Sequence, residues 1–138
     1  MKLTNRAVTT LFGLAAAATA LTGLTAPTAS ATTTQVTAGC YRSSCNGQDP
    51  VDMGCNTDAY TVESAWSEYG TIELRYSPSC KANWARLSGG TKGQWFWVEN
   101  ASTSQWWEAK GSDSFGNMVD GSGPARACLQ QGACTGQH

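Results

Sequence analysis

The chain has 138 residues, of which 9 are basic, 10 acidic and one a histidine, for a formal net charge of −1. A near-neutral chain with scattered cations offers no basic patch for a phosphate backbone, which excludes nucleic acid as an expected partner. The one histidine, His138, stands at the end of the sequence, in a polar tail expected to be mobile, so the base on which serine, cysteine or threonine nucleophiles most often depend is missing from the body of the chain.

Lys2 and Arg6 precede a charge-free run from Ala7 to Ser30 that includes Pro27 and closes on Ala29-Ser30-Ala31. A basic start, an apolar middle and a small-x-small end predict a signal peptide over residues 1–31, cleaved after Ala31 and exported by the general secretory route. Thr9, Thr10, Gly13, Thr19, Thr22 and Gly23 dilute the run and no basic stop-transfer cluster follows it, which argues against a membrane anchor. Thr37-Ala38-Gly39-Cys40 resembles a bacterial lipidation site, but the polar spacer Thr32-Thr33-Thr34-Gln35 separates it from the apolar run. A single arginine ahead of that run does not make a twin-arginine signal. After cleavage, residues 32–39 are expected to form a flexible polar N-terminus with no hold on the membrane. The mature chain then has 107 residues, 7 basic and 10 acidic, and a net charge of −3.

Only eleven Leu, Ile, Val or Phe residues remain in that mature chain, a level more typical of disorder. Six Trp, four Tyr and all six Cys lie there as well. The aromatic rings supply bulk for a core, and an even cysteine number in an exported domain reads as a disulfide framework. Cys40, Cys45, Cys55, Cys80, Cys128 and Cys134 include no C-x-x-C spacing, so zinc would need an irregular all-thiolate set in competition with oxidation. No metal and no cofactor is expected. Proximity favours Cys40–Cys45, Cys55–Cys80 and Cys128–Cys134, although six cysteines allow 15 pairings.

The segment from Asn46 to Asp58 gathers Asp49, Asp52, Asn56 and Asp58 around Gly47, Pro50 and Gly54. It lacks the spacing and closing Glu of a calcium loop, and these residues are the ordinary formers of turns. Next, residues 60–66 and 71–77 each alternate with period two, with Tyr60, Val62 and Trp66 on one face and Ile72, Leu74 and Tyr76 on the other strand's matching face. They predict a hairpin through Glu68-Tyr69-Gly70, pairing Trp66 with Ile72, Val62 with Tyr76 and Glu63 with Arg75. Residues 94–99, with Trp95-Phe96-Trp97-Val98, and 105–109, with Trp106-Trp107, read as further strands. Turn signals at Asn46-Gly47, Ser88-Gly89-Gly90, Gly111-Ser112-Asp113 and Asp120-Gly121 separate them. Together these predict a mainly β fold, a small disulfide-stabilised antiparallel sandwich or barrel with little helix. A single disulfide-rich β domain over 40–134, with the 40–54 stretch as a pinned loop region, is followed by a tail at 135–138.

Trp95, Trp97, Trp106 and Trp107 are the candidate ligand-binding residues, because alternate rings on neighbouring strands form a platform for sugar faces or a protein partner. The shortage of aliphatic residues competes with that role and predicts that at least two of the four are buried. Glu63, Glu68, Glu73, Glu99 and Glu108 are the carboxylates from which a glycosidase pair would be drawn, but acids alternating with apolar residues along strands describe a solvated face. No catalytic residue is assigned.

At Cys45-Asn46-Gly47-Gln48-Asp49-Pro50, Gly54-Cys55, Asp58-Ala59, Glu73-Leu74-Arg75-Tyr76-Ser77, Cys80 and Asn83-Trp84-Ala85-Arg86, the chain resembles the bacterial domain of unknown function numbered 2690. Met118-Val119-Asp120-Gly121 and Ala127-Cys128 extend the likeness. It implies a small exported protein and supplies no agreed activity or catalytic residue. It also implies a shared core of Cys45, Cys55, Cys80 and Cys128, which would suit Cys45–Cys128 with Cys40–Cys134 in place of the pairing by proximity.

These readings lead to a secreted, monomeric, non-catalytic binding module for an extracellular glycan, of the cell wall for example, or for a protein. The rival expectations are an inhibitor of a secreted hydrolase, acting through the loop between Cys40 and Cys55, and a small carboxylate-dependent glycosidase.

Overall fold

A computed structural model describes residues 37–138. The expected signal peptide, its cleavage site and residues 32–36 of the expected flexible N-terminus lie outside the described residues. Among those described, no helix is long and apolar enough to cross a membrane.

Two antiparallel sheets face each other. The larger is built from β1 (Tyr60–Ser67), β2 (Gly70–Ser77), β3 (Ala82–Ser88), β6 (Ser114–Phe115) and β7 (Val119–Asp120), in the order β1-β2-β3-β6, with β7 also on β3. The smaller holds β5 (Ser104–Glu108), β4 (Trp95–Asn100) and β8 (Ala125–Leu129), in that spatial order. Helix is limited to two short 3-10 turns, Arg42–Cys45 and Cys55–Thr57. The mainly β disulfide-stabilised sandwich expected from the sequence is therefore the fold observed.

Alternation along the strands decides what is buried. Ile72 and Leu74 of β2, Ala85 and Leu87 of β3, Phe96 and Val98 of β4, and Ala125, Ala127 and Leu129 of β8 turn inward and meet as one core. A second cluster joins Trp84, Met118 and Ala82 to Cys45, Cys55 and Cys80. Trp84 and Ala82 alternate with Ala85 along β3 and so belong to the opposite face of the larger sheet, where the loop region and its two bridges cover them. So few aliphatic residues suffice because disulfides and a tryptophan at 3% exposure build this second core.

The hairpin forms with a register different from the expected one. Ser67 pairs with Gly70 across a two-residue loop, so Ala65 faces Ile72 and Trp66 faces Thr71, while Glu63 lies beside Leu74 and Arg75 beside Thr61. Between Thr61 and Glu63 the register shifts by one residue, a bulge at Val62. The two-residue loop sets the difference, since it brings Ala65 rather than Trp66 opposite Ile72; the bulge then lets Val62 turn toward the core as well as Ala65, which strict alternation forbids. Trp66 is left outside. At the loop, the Tyr69 N–H donates to Ser67 Oγ at 3.2 Å, and Gly70, with φ of 127°, passes so close to β3 that a Cβ would lie 3.0 Å from the Ser88 oxygen.

The three disulfides are Cys40–Cys45, Cys55–Cys80 and Cys128–Cys134. The pairing by proximity holds, and the Cys45–Cys128 alternative implied by the family likeness does not occur. Asp58 fixes the turn between β2 and β3, accepting from Ser77 Oγ at 2.6 Å and from the Ser79 N–H at 2.8 Å. Burial opposes ionisation of this carboxyl, but the hydrogen bonds from Ser77 and Ser79 outweigh it and hold the group below its ordinary range.

The tail is not free. Residues 135–138 run antiparallel to β8, with Thr135 N–H donating to Ala127 O at 2.9 Å and His138 and Ala125 exchanging both backbone bonds at 2.8 and 3.0 Å. The tail also bridges to the edge strand β1, where Glu63 accepts from the Gly136 N–H at 2.9 Å and pairs with the His138 ring. Short length and polar composition favour mobility; the open backbone edge of β8 and the Glu63 side chain of β1 override that.

Candidate functional site

The outward face of the three-stranded sheet carries the aromatic site. With Phe96 and Val98 turned into the core, Trp95, Trp97 and Glu99 of β4 must point the other way. The register sets Trp97 opposite Trp106 on β5 and opposite Cys128 on β8, and Trp95 opposite Glu108. Across that pairing, the Trp97 and Trp106 rings stack with centroids 4.2 Å apart and planes 16° from parallel. Trp106 is 50% exposed and Trp95 42%, so one face of the Trp106 indole is left free by the stack.

Polar groups hold this arrangement in place. The Trp97 indole N–H donates to Glu99 Oε2 at 2.9 Å, and Arg126 on β8 pairs with the other Glu99 oxygen at 2.6 Å. Glu99 thus ties Trp97 to the neighbouring strand and fixes the ring that Trp106 leans against. Glu108 sits beside Lys110 at 3.8 Å. The acids of this face are accordingly matched by cations at close range.

Trp107 lies elsewhere. It pairs with Phe96, faces inward and packs against the core. Of the four candidate tryptophans the structure brings together Trp95, Trp97 and Trp106 and sets Trp107 on the opposite face. The expectation that two or more of the four are buried is not met: Trp95 and Trp106 are exposed and Trp97 and Trp107 half-buried, while the buried tryptophan is Trp84, 3% exposed, in the separate cluster with the cysteines.

Glu99 and Glu108 are the carboxylates on this face. They stand four residues apart along paired strands, roughly 13 Å at about 3.3 Å per residue, wider than the ~5–9.5 Å that glycoside hydrolysis uses.

Two other clusters escaped the sequence reading. A cleft of about 370 Å³ lies between Tyr60, Val62, Tyr76 and Asn83 of the larger sheet and residues 121–124, with His138 on its rim. Tyr60 and Tyr76 meet edge to face in it at 5.8 Å. No local pattern signals the Glu63–His138 pair, since its members are 75 residues apart. The second cluster comprises the sulfurs of Cys40, Cys45, Cys55 and Cys80, all within 4.8 Å of one another. While bridged, none is a thiolate, the form in which cysteine ligates zinc. Asp49 and Asp120, considered for calcium and turns respectively, accept from the backbone of their own turns, at Val51 and at Ser122.

The chain belongs to the family described as "Protein of unknown function (DUF2690)", whose pattern matches residues 43–128. That span runs from within the first 3-10 turn into β8, and includes β1 to β7 and all three tryptophans of the exposed face. No curated protein and no solved structure matches the chain.

Proposed function

From membership of a family with no assigned activity, we propose that this protein is a secreted, non-catalytic, monomeric binding module, and that Trp95, Trp97 and Trp106 stack on the sugar rings of an extracellular glycan. The observation that carries this reading is the Trp97–Trp106 stack on an open sheet face with Trp95 beside it. A domain poor in aliphatic residues gains from every ring it can bury, and here three indoles stay on the outer surface, two of them, Trp97 and Trp106, held in orientation by the Glu99 bond and the stack. Rigid aromatic faces with hydrogen-bonding groups at their border suit sugars, whose rings present C–H groups on their faces and hydroxyls at their edges. Export is supported by the basic-apolar-small pattern of residues 1–31 and by three bridges, which persist in oxidising compartments.

Retention on purified cell wall and on insoluble polysaccharides tests the proposal. The native protein should be retained and Trp106→Ala released; passage of the native protein through every polymer overturns it.

A second reading has its own observation. Tyr41 and Val51 are about half exposed on the loop region pinned by Cys40–Cys45 and Cys55–Cys80, a rigid apolar prominence of the kind a hydrolase inhibitor inserts into a cleft. Unchanged rates of secreted hydrolases at excess protein would remove it.

A further inference from the structure

The β1–β2 hairpin tip carries the most exposed large apolar side chain among the described residues, Trp66 at 75% exposure, with Tyr69 at 43% close by. A shallow cleft of about 440 Å³ lies there, walled by Trp66, Glu68 and Tyr69 on one side and by Gln131, Gly132 and Ala133 on the other. The two-residue loop that pairs Ser67 with Gly70 sets Ala65 opposite the core residue Ile72 and so keeps Trp66 out, and this exposure is fixed by the register of the sheet.

The cleft adjoins the tryptophan face. The Gln94 side-chain amide donates to Tyr69 O at 3.1 Å, and the Gln130 N–H donates to Trp95 O at 3.0 Å. Gly132 presses against the hairpin so closely that a Cβ would lie 2.5 Å from Ser67 Oγ. The turn at residues 130–133 therefore spans from Trp95 to the hairpin tip, with Trp66 beyond it.

The geometry points to an extended site: we propose that Trp66 and Tyr69 form a distal subsite continuous with Trp95, Trp97 and Trp106, and that the ligand is an uncharged linear polysaccharide long enough to lie across both. This inference rests on the glycan-binding reading of the tryptophan face. Charge selects the class of polymer. Glu99 is matched by Arg126 and Glu108 by Lys110, which leaves the face without net charge, and Glu68 is the one charged side chain walling the cleft. A phosphate- or uronate-bearing chain finds Arg126 and Lys110 already paired with carboxylates on this face and meets Glu68 at the cleft. Two stacking sites on one rigid domain also make affinity depend on ligand length, because the second contact is intramolecular once the first is made.

Calorimetric titration of the native protein, Trp66→Ala and Trp106→Ala with cellobiose, chitobiose and their hexasaccharide homologues tests this, with a polygalacturonate hexamer as the acidic comparison. Trp66→Ala should lower hexasaccharide affinity about tenfold, a loss of ~1.4 kcal/mol, and leave disaccharide affinity unchanged, while Trp106→Ala weakens both lengths. Equal effects of Trp66→Ala on both lengths, or none on either, overturn the distal subsite while leaving the glycan reading in place. Tighter binding of the acidic hexamer overturns the uncharged class. Failure of the native protein to bind any oligosaccharide overturns both readings together. Trp66 is mostly in solvent, so its removal should leave the fold intact, which circular dichroism checks.

Discussion

Trp97 and Trp106 face each other across β4 and β5 with their rings stacked at 4.2 Å, and the Trp97 indole is anchored to Glu99, which is itself held by Arg126. Removing Glu99 should loosen this ring before it harms the fold. Glu99→Gln retains an acceptor for the indole N–H but not the ion pair, and Glu99→Ala loses both. Exposed ion pairs contribute up to about 1 kcal/mol, so both variants should fold, with near-ultraviolet circular dichroism of the stacked indoles reduced most in Glu99→Ala. An unchanged aromatic signal in Glu99→Ala would show that the stack needs no such support.

Trp106 and Trp107 are neighbours in sequence on opposite faces of β5, and should respond oppositely. Trp107→Ala opens space beneath Phe96 and should cost about 3 kcal/mol, near the low end for a large aromatic residue that is only partly buried. Trp106→Ala should cost about 1 kcal/mol, the value of one exposed stack, and abolish glycan retention. Urea denaturation monitored by far-ultraviolet circular dichroism measures both.

Cys55–Cys80 spans 25 residues and Cys128–Cys134 spans 6. On the loop-entropy account the first contributes roughly 3–4 kcal/mol and the second roughly 2. The double change Cys55→Ala with Cys80→Ala should therefore shift the urea midpoint further than Cys128→Ala with Cys134→Ala. Full reduction should unfold a domain whose total stability lies in the usual range of about 5–15 kcal/mol.

Asp58 makes stability depend on acid. Its folded-state carboxyl is held below the ordinary value of 3.8 by the Ser77 and Ser79 hydrogen bonds, which overcome the opposing burial. The unfolded chain thus takes up the proton first as pH falls, so the contribution is complete above about pH 4 and is lost progressively below it. Asp58→Asn should be less stable than the native protein at neutral pH, and the gap should narrow as the pH drops through that window. Urea midpoints from neutral to acidic pH give the comparison.

Glu63 secures residues 135–138 against β1 through the Gly136 N–H and the His138 ring. In Glu63→Ala the Gly136 amide should exchange with solvent faster, while the Thr135 amide, bonded to the backbone of Ala127, stays protected. Equal acceleration at both would mean that Glu63 holds the whole segment on β8.

Much of the fold was legible from local pattern. Period-two alternation over Ile72 and Leu74, and over Phe96 and Val98, marked strands and their inward faces, and the short gap from Cys40 to Cys45 and from Cys128 to Cys134 favoured the pairings that occur. The register of the hairpin was not legible, because the choice of a two-residue loop at Glu68-Tyr69, which moves Trp66 from core to solvent, and the bulge at Val62 leave no signature in residue type. Nor was the docking of His138, which depends on two strand edges meeting across the sandwich.

For the tryptophans the division is sharpest. Alternation along any strand already puts Trp95 and Trp97 on one face and Trp106 and Trp107 on opposite ones. Which of the latter pair joins Trp97 was decided by the pairing of β4 with β5, and which face met the core by the larger sheet packed against it. Parity is a local property of the chain, whereas burial is set by what lies across the sheet, and residues far away in sequence supply it.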